Sequence, residues 1–284
     1  MIIWLASYPK SGNTWIRAFV SSLLFKKENV NSLENMKKIH AYPLKKDFYN
    51  LLNDFNNFNN ISECWEKSQS ILNLDKKIKF LKTHHILCGI NKNFFTNYKN
   101  SLGVIYIVRD PRNVITSLMN HYSIENYNEA LKFILDKDRF SGKFGEKNSF
   151  TRETEFPTYI SNWNNHYNSW KSFKKNYLLI KYEDLLKNPQ TKFKEIADYL
   201  GEILQIKIDN EDISYAIAQS SFTNLKKSEE TYGFDEAAPD EITNKKKKFF
   251  NLGPDNQWQK YLSKEIQNKI ENAFKNEMKE LNYL

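Results

Sequence analysis

Lys10, Ser11 and Gly12 sit between a short apolar run, Ile2 to Ala6, and a helical pattern that begins at Thr14. A lysine and a glycine at such a turn can make an anion site. The first N–H groups of a helix have no partner inside it and point back at the loop. The helix end carries roughly half a positive unit charge, Lys10 adds a full one, and Gly12 lets the backbone approach a ligand closely. A phosphate or sulfate fits such a corner, although an ordinary strand-loop-helix corner has the same outline. Arg109 stands at the end of another apolar run and just before a helical pattern. There it is either an anion ligand, binding phosphate through two parallel hydrogen bonds, or the partner of Asp110 or another acid. His84 closes a third such run, beside Lys82, and histidine titrates near neutral pH. Together these residues describe chemistry on an anionic ligand.

The elements that must position them follow from the apolar pattern. Ile2 to Ala6, Ile78 to His85, Leu102 to Val108 and Tyr177 to Lys181 read as strands, and the first and third are apolar enough to be covered on both faces. Pro9 ends the first strand because it has no N–H to donate. Trp15, Ile16, Phe19, Val20, Leu23 and Leu24 follow at helical spacing. Further helices are expected over Val114–Met119, Thr158–Phe173, from Pro189 to a close at Gly201, and over Lys264–Leu281, with Glu183 and Asp184 capping a helix after the last strand. Residues 120–155 read as a flexible loop or lid. Tyr42, Phe48, Tyr49, Phe55 and Phe58 either line an acceptor pocket or pack under a loop. In an open sheet of this kind ligands gather beyond the carboxyl ends of the strands, which brings His84 near Lys10. The expected architecture is α/β, with a P-loop-like, mostly parallel central sheet flanked by helices on both faces, and residues 1–284 as a single domain.

Composition agrees with a core-forming chain that handles anions. Of the 284 residues 40% are hydrophobic and 15% aromatic, and the net charge is +8, half of it in the run Lys245 to Lys248. No Arg-rich arm, zinc spacing or RNA-binding aromatic signature points to nucleic acid. Cys64 and Cys88 make neither a disulfide framework nor a metal-type pair, so reduced thiols and a cytoplasmic location are expected. No apolar run is long enough to span a bilayer, and no metal is expected.

Tyr8-Pro9-Lys10-Ser11-Gly12-Asn13-Thr14-Trp15 resembles the 5′-phosphosulfate loop of the cytosolic-type sulfotransferases, which usually have Thr where this chain has Asn13. Arg109 followed eight positions later by Ser117 resembles the family's 3′-phosphate motif. Lys82-Thr83-His84 resembles the segment that supplies the catalytic base, although His85 and Ile86 replace the usual Leu-Pro. Tyr182 in Tyr-Glu-Asp-Leu, the segment holding Ser221, Phe222 and Leu225, and a late glycine, Gly253, followed by Trp258 complete the ordered series.

The resemblance implies transfer of a sulfuryl group from 3′-phosphoadenosine-5′-phosphosulfate (PAPS) to a hydroxyl or amine of a small-molecule or glycan acceptor. It implies that His84 is the base, with Lys10 and Lys82 neutralising developing charge. The donor would be held by Lys10, Ser11, Gly12, Asn13, Thr14, Trp15, Arg109, Ser117, Tyr182, Ser221, Phe222, Leu225, Asn251 and Gly253. The chain departs from the pattern where Asn251 and Leu252 replace a basic pair. Either Arg109, Ser117 and backbone near Gly253 hold the phosphate unaided, with Phe249 and Phe250 anchoring the loop away from the site, or Lys248 and its neighbours restore the charge. Two other readings are a P-loop-type nucleotide kinase, for which Gly-Lys-Ser/Thr is missing and Asp110 is the only tempting magnesium ligand, and a non-catalytic module binding nucleotides or sulfated glycans.

Overall fold

Alternation along the first strand organises the molecule. In β1 (Ile2–Ser7) every residue is buried. Ile2, Trp4 and Ala6 enter one hydrophobic core, while Ile3 and Leu5 enter the other. The computed structural model describes residues 1–26, 31–122, 124–141, 156–237 and 246–284. Within them β2 (Lys79–Thr83), β3 (Ser101–Val108) and β4 (Tyr177–Lys181) join β1 in a parallel sheet of order β2-β1-β3-β4. β3 alternates as β1 does, with Val104, Tyr106 and Val108 on one face and Ile105 and Ile107 on the other. Such two-sided burial is what a central parallel strand requires.

Helices cover both faces. On one side α1 (Asn13–Leu24) packs with a long helix that begins at Pro189, and Phe19 stacks on Phe193 with ring centroids 4.3 Å apart. On the other, α2 (Pro111–Tyr122) and α3 (Trp163–Lys171) bring Val114, Leu118, Trp163 and Trp170 against β1 and β3. The four strand ends, Ser7, Thr83, Val108 and Lys181, lie at the same edge of the sheet because all four strands run parallel. The residues that follow them are therefore gathered by topology: the 8–12 loop, His84, Arg109 and Tyr182. The last of these opens α4 (Tyr182–Lys187).

Several boundaries differ from the sequence expectation. The helix expected over Thr158–Phe173 begins only at Trp163, because Ser161 is left-handed and Asn162 caps the helix by accepting from the Asn165 N–H. Thr158–Tyr159 instead pairs antiparallel with Phe140–Ser141. The helix that starts at Pro189, α5 (Pro189–Leu204), runs past Gly201 and ends at left-handed Gln205. Part of the stretch expected to be a loop is a helix, Tyr127–Leu135, because Ala130, Leu131, Phe133 and Ile134 form a buried stripe; residues 142–155 lie outside the described residues. Glu183 does not cap a helix. It accepts from the Asp110 N–H (3.0 Å) and the Tyr283 hydroxyl (2.8 Å), tying the end of β3 to the C-terminal segment. The expected last helix is two, α8 (Lys264–Ala273) and α9 (Lys275–Glu280), interrupted at Phe274, whose ring packs on Trp163 at 5.2 Å. Between α5 and this pair lie α6 (Asn210–Gln219) and α7 (Phe222–Tyr232).

Candidate active site

A cavity of about 1330 Å³ opens over the carboxyl ends of the strands. Every residue expected to take part in catalysis or donor binding lines it except Ser11, which is fully buried. The loop that forms its floor is shaped by two left-handed residues, Lys10 (φ 65) and Gly12 (φ 103). A Cβ on Gly12 would lie 2.5 Å from the Tyr182 ring, so the position has room only for glycine. The Gly12 carbonyl accepts from the N–H groups of Trp15 and Ile16, which starts α1. Asn13, the departure from the family motif, donates through Nδ2 to the Leu5 carbonyl (2.8 Å) and to Ser7 Oγ (3.2 Å). It thus fastens the helix start to β1.

His84 and His85 part company at the end of β2, as alternation demands. His85 is fully buried, its ring stacked on Phe95 with centroids 4.2 Å apart, and its Nδ1 donates to the Ile86 carbonyl. His84 lines the cavity. Its Nδ1 lies 2.7 Å from the Ser7 carbonyl oxygen, which only accepts, so Nδ1 carries the proton and Nε2 keeps a lone pair. Burial and the neighbouring Lys82 ammonium hold the ring well below the usual histidine range, opposed by the Ser7 contact, so it is neutral at pH 7. A second histidine, which sequence reasoning missed, fixes the His84 backbone. His166 of α3 donates from Nε2 to the His84 carbonyl (3.1 Å) and accepts at Nδ1 from the Tyr106 hydroxyl (2.8 Å).

The cations are concentrated at one end. The Lys10 ammonium stands over the Phe249 ring, 4.2 Å from its centroid. Burial, followed by Arg109 and Lys82, pushes its pKa down to about 7. No carboxylate lies within ion-pair distance of it among the described residues. Lys82 donates to Glu236 Oε2 (3.0 Å), and the other oxygen of that carboxylate accepts from Arg17 Nη1 (2.5 Å). Arg109 does not pair with Asp110, which is held by Arg112. Instead Arg109 donates from Nη1 to the Lys10 carbonyl (3.0 Å) and lies flat over Tyr182, 4.2 Å from the ring centroid. Its Nε is buried without a partner, as are Trp15 Nε1 and Ser11 Oγ. Donors and a cation left unsatisfied in one corner are the residue set that an anionic group fits.

The remaining candidates form the far wall. Ser117 lies on α2 facing the cavity. Ser221 caps α7, its Oγ accepting from the Asn224 N–H at 3.3 Å. The Phe222 ring covers Gly253, where a Cβ would lie 2.3 Å from the ring and where φ is 52°. Leu225 is buried beside Phe250, while Asn251 and Leu252 line the cavity. Phe249 does not anchor its loop away from the site as expected; its ring lies under Lys10, and Glu229 accepts from the N–H groups of Phe249 and Phe250. Lys246 and Lys248 turn outward to Phe234, Asp235 and Glu230, and Lys245 lies outside the described residues. Of the early aromatics only Tyr42 reaches the cavity, with Pro43 and Leu44 beside it. Phe48 and Phe55 pack on Phe156, Phe58 on Trp65, and Tyr49 is largely exposed. Glu236 and Arg17 had no sequence signal, since neither belongs to a motif and they lie 219 positions apart.

No helix among the described residues is long and apolar enough to cross a membrane. Residues 2–282 match the family model of the sulfotransferase domain. A flavonol 4′-sulfotransferase of Flaveria chlorifolia is 24% identical over 283 residues, covering 95% of this chain and 76% of that protein. Sulfotransferase 1B1 of Canis lupus familiaris is 23% identical over 282 residues, covering 97% and 83%. Among solved structures, mouse sulfotransferase SULT7A1 complexed with PAP superposes with a TM-score of 0.59 at 19% identity, over 97% of this chain and 83% of that one. Retinol dehydratase in complex with androsterone and the inactive cofactor PAP gives 0.61 at 18% identity, over 98% and 80%. With the family model spanning almost its whole length, over a parallel sheet whose strand ends gather Lys10, His84 and Arg109, the chain belongs to the sulfotransferase domain family.

Proposed function

We propose that residues 1–284 act as one catalytic unit that moves a sulfuryl group from PAPS to a hydroxyl of a small molecule, with His84 as general base. The observation that carries this reading is the fixed tautomer of His84. Its Nδ1–H is committed to the Ser7 carbonyl, so the basic Nε2 belongs to the cavity that Lys10 also lines. PAPS, when bound, supplies an electrophilic sulfur carrying a phosphate leaving group. His84 Nε2 takes the acceptor's proton as the new O–S bond forms and the bond from sulfur to the phosphate oxygen breaks. Lys10 and the α1 N-terminus neutralise the charge left on that phosphate. Lys82 stands beside the base, while Arg109, Ser117 and Tyr182 would anchor the nucleotide away from the chemistry.

The acceptor end is walled by Pro43, Leu44, Phe156 and Ile160, with Thr158 among them, which suits a hydroxyl on an apolar frame. The names of similar proteins, a flavonol and a 3-beta-hydroxysteroid sulfotransferase, agree in kind. Two free cysteines, Cys64 and Cys88, suit a cytoplasmic location. A kinase reading is disfavoured because Asp110, its one tempting acid, is taken up by Arg112. Calorimetry tests the donor: the nucleotide product PAP should bind, and ATP with magnesium should not compete with it. Preferential binding of magnesium-ATP would favour the kinase.

Two further results are expected of donor binding. Lys10 in the ligand-free site loses its proton as pH rises through about 7, and an anion favours its charged form. Binding at pH 8 should therefore take up close to one proton and weaken as pH rises further, whereas at pH 6 it should take up almost none. Calorimetry in buffers of different ionisation enthalpy reads this directly, and Lys10→Met should remove the uptake. At the missing basic pair, Leu252→Lys should tighten donor binding by about tenfold, or about 1.4 kcal/mol, more at low than at moderate salt. Lys248→Ala should change nothing, because that side chain is exposed beside Glu230. The reverse pattern would assign the lysine run to the site.

A further inference from the structure

Glu236 is the one carboxylate in the cavity wall that faces the cations of the transfer end from within ion-pair distance among the described residues. It belongs to the short segment after α7, and both of its oxygens are used. Oε1 accepts from Arg17 on α1, and Oε2 accepts from Lys82 on β2. Arg17 is itself buried and is held from its other side by the Ile39 carbonyl at 3.0 Å. The carboxylate thus spans two elements that both present positive charge to one space. Burial alone would raise its pKa, but Arg17 and Lys82 outweigh this and hold it well below the usual carboxylate range, so it is charged whenever the protein is folded near neutrality. Lys10 and His84 also lie within reach of its field.

We propose that Glu236 is an internal counter-ion of the donor site, occupying Lys82 until the sulfuryl end of an anionic donor displaces it, and thereby setting donor affinity. The inference rests on the PAPS reading above. Bringing two positive charges into a partly buried space is costly, and Glu236, paired with both Arg17 and Lys82, offsets part of that cost in the ligand-free chain. A donor must then displace from Lys82 a carboxylate already in place, which weakens binding. Arg17 keeps the carboxylate nearby when Lys82 changes partner. Glu236 is thus a positioning residue for Lys82, and neither reacts with nor binds the substrate.

The test measures PAPS and PAP affinities, without acceptor, for the wild-type chain, Glu236→Gln, Lys82→Met and the double variant. Glu236→Gln is expected to bind PAPS about tenfold more tightly, with a smaller gain for PAP, which lacks the sulfuryl group. In the Lys82→Met background the gain should vanish. Unchanged or weaker PAPS binding by folded Glu236→Gln, or an equal gain with and without Lys82, overturns the inference while leaving the PAPS reading intact. A wild-type chain that binds neither ligand overturns that reading itself. If Glu236→Gln does not fold, Glu236→Asp carries the test: it keeps the charge near Arg17 but is one methylene shorter toward Lys82. About threefold tighter PAPS binding is then expected, and unchanged or weaker binding refutes the role.

Discussion

His84→Ala is expected to lower turnover by about 10²–10⁴-fold while leaving PAPS affinity within about twofold. The loss falls on the chemical step because the ring touches the donor's anchors nowhere: its one fixed contact is with Ser7. The pH profile follows from the direction of its shift. With the folded pKa well below 6.5, the basic form dominates throughout the neutral range. The His84-dependent acid limb of kcat/KM for the donor, which reports the ligand-free chain, should therefore lie well below pH 6.5, with no His84-dependent change between pH 7 and 8. His85 is the control. Emptying its place beside Phe95 and Trp65 removes a buried ring, which should cost stability of roughly 3–5 kcal/mol, as for other core aromatics. Turnover per folded molecule should nevertheless persist. An active His84→Ala together with a folded but dead His85→Ala would move the base to the neighbouring residue.

Arg109→Met should carry the second largest effect, a loss of PAP affinity of roughly 10- to 150-fold, the range for removing hydrogen bonds to a charged group of about 1.5–3 kcal/mol. The guanidinium is aimed by two contacts, the bond to the Lys10 carbonyl and the stack on Tyr182, and its Nε has no partner in the protein. Adenosine 5′-phosphate, which lacks the 3′-phosphate, should lose much less, so the preference for PAP over that nucleotide collapses. Ser117→Ala should show the same selectivity more weakly, about fivefold, as befits one neutral hydroxyl. Equal losses for both nucleotides would mean that Arg109 shapes the loop through Lys10 and does not read the 3′-phosphate.

What could be read in advance from the chain was what is contiguous in it. The run from Ile2 to Trp15 holds a whole strand, turn and helix start, so its residue order already described a ligand corner. Arg109 and Ser117 likewise share one strand end and the helix after it. The two central strands, β1 and β3, were legible because two-sided burial leaves an apolar run that little else produces. Helix limits held less well, since caps such as Ser161–Asn162 and Gln205 depend on left-handed or turning backbone that any polar residue can supply. The support around His84 and Lys82 was invisible for a different reason. Tyr106, His166 and Glu236 come from a strand, a helix and a loop that only tertiary packing brings together, and each would pass for a core or surface residue in sequence. Phe249 was misread because aromatics usually mark a core, whereas its ring forms the floor beneath Lys10.

The central claim is transfer itself, and mass spectrometry of a metabolite extract incubated with the chain and PAPS tests it most directly. The account predicts at least one compound that gains the mass of a single SO₃ unit, with PAP formed in step, in the wild-type reaction and not in the parallel one with His84→Ala. If PAP binds as described yet no compound gains that mass, the chain is a nucleotide-binding module and the catalytic reading is contradicted.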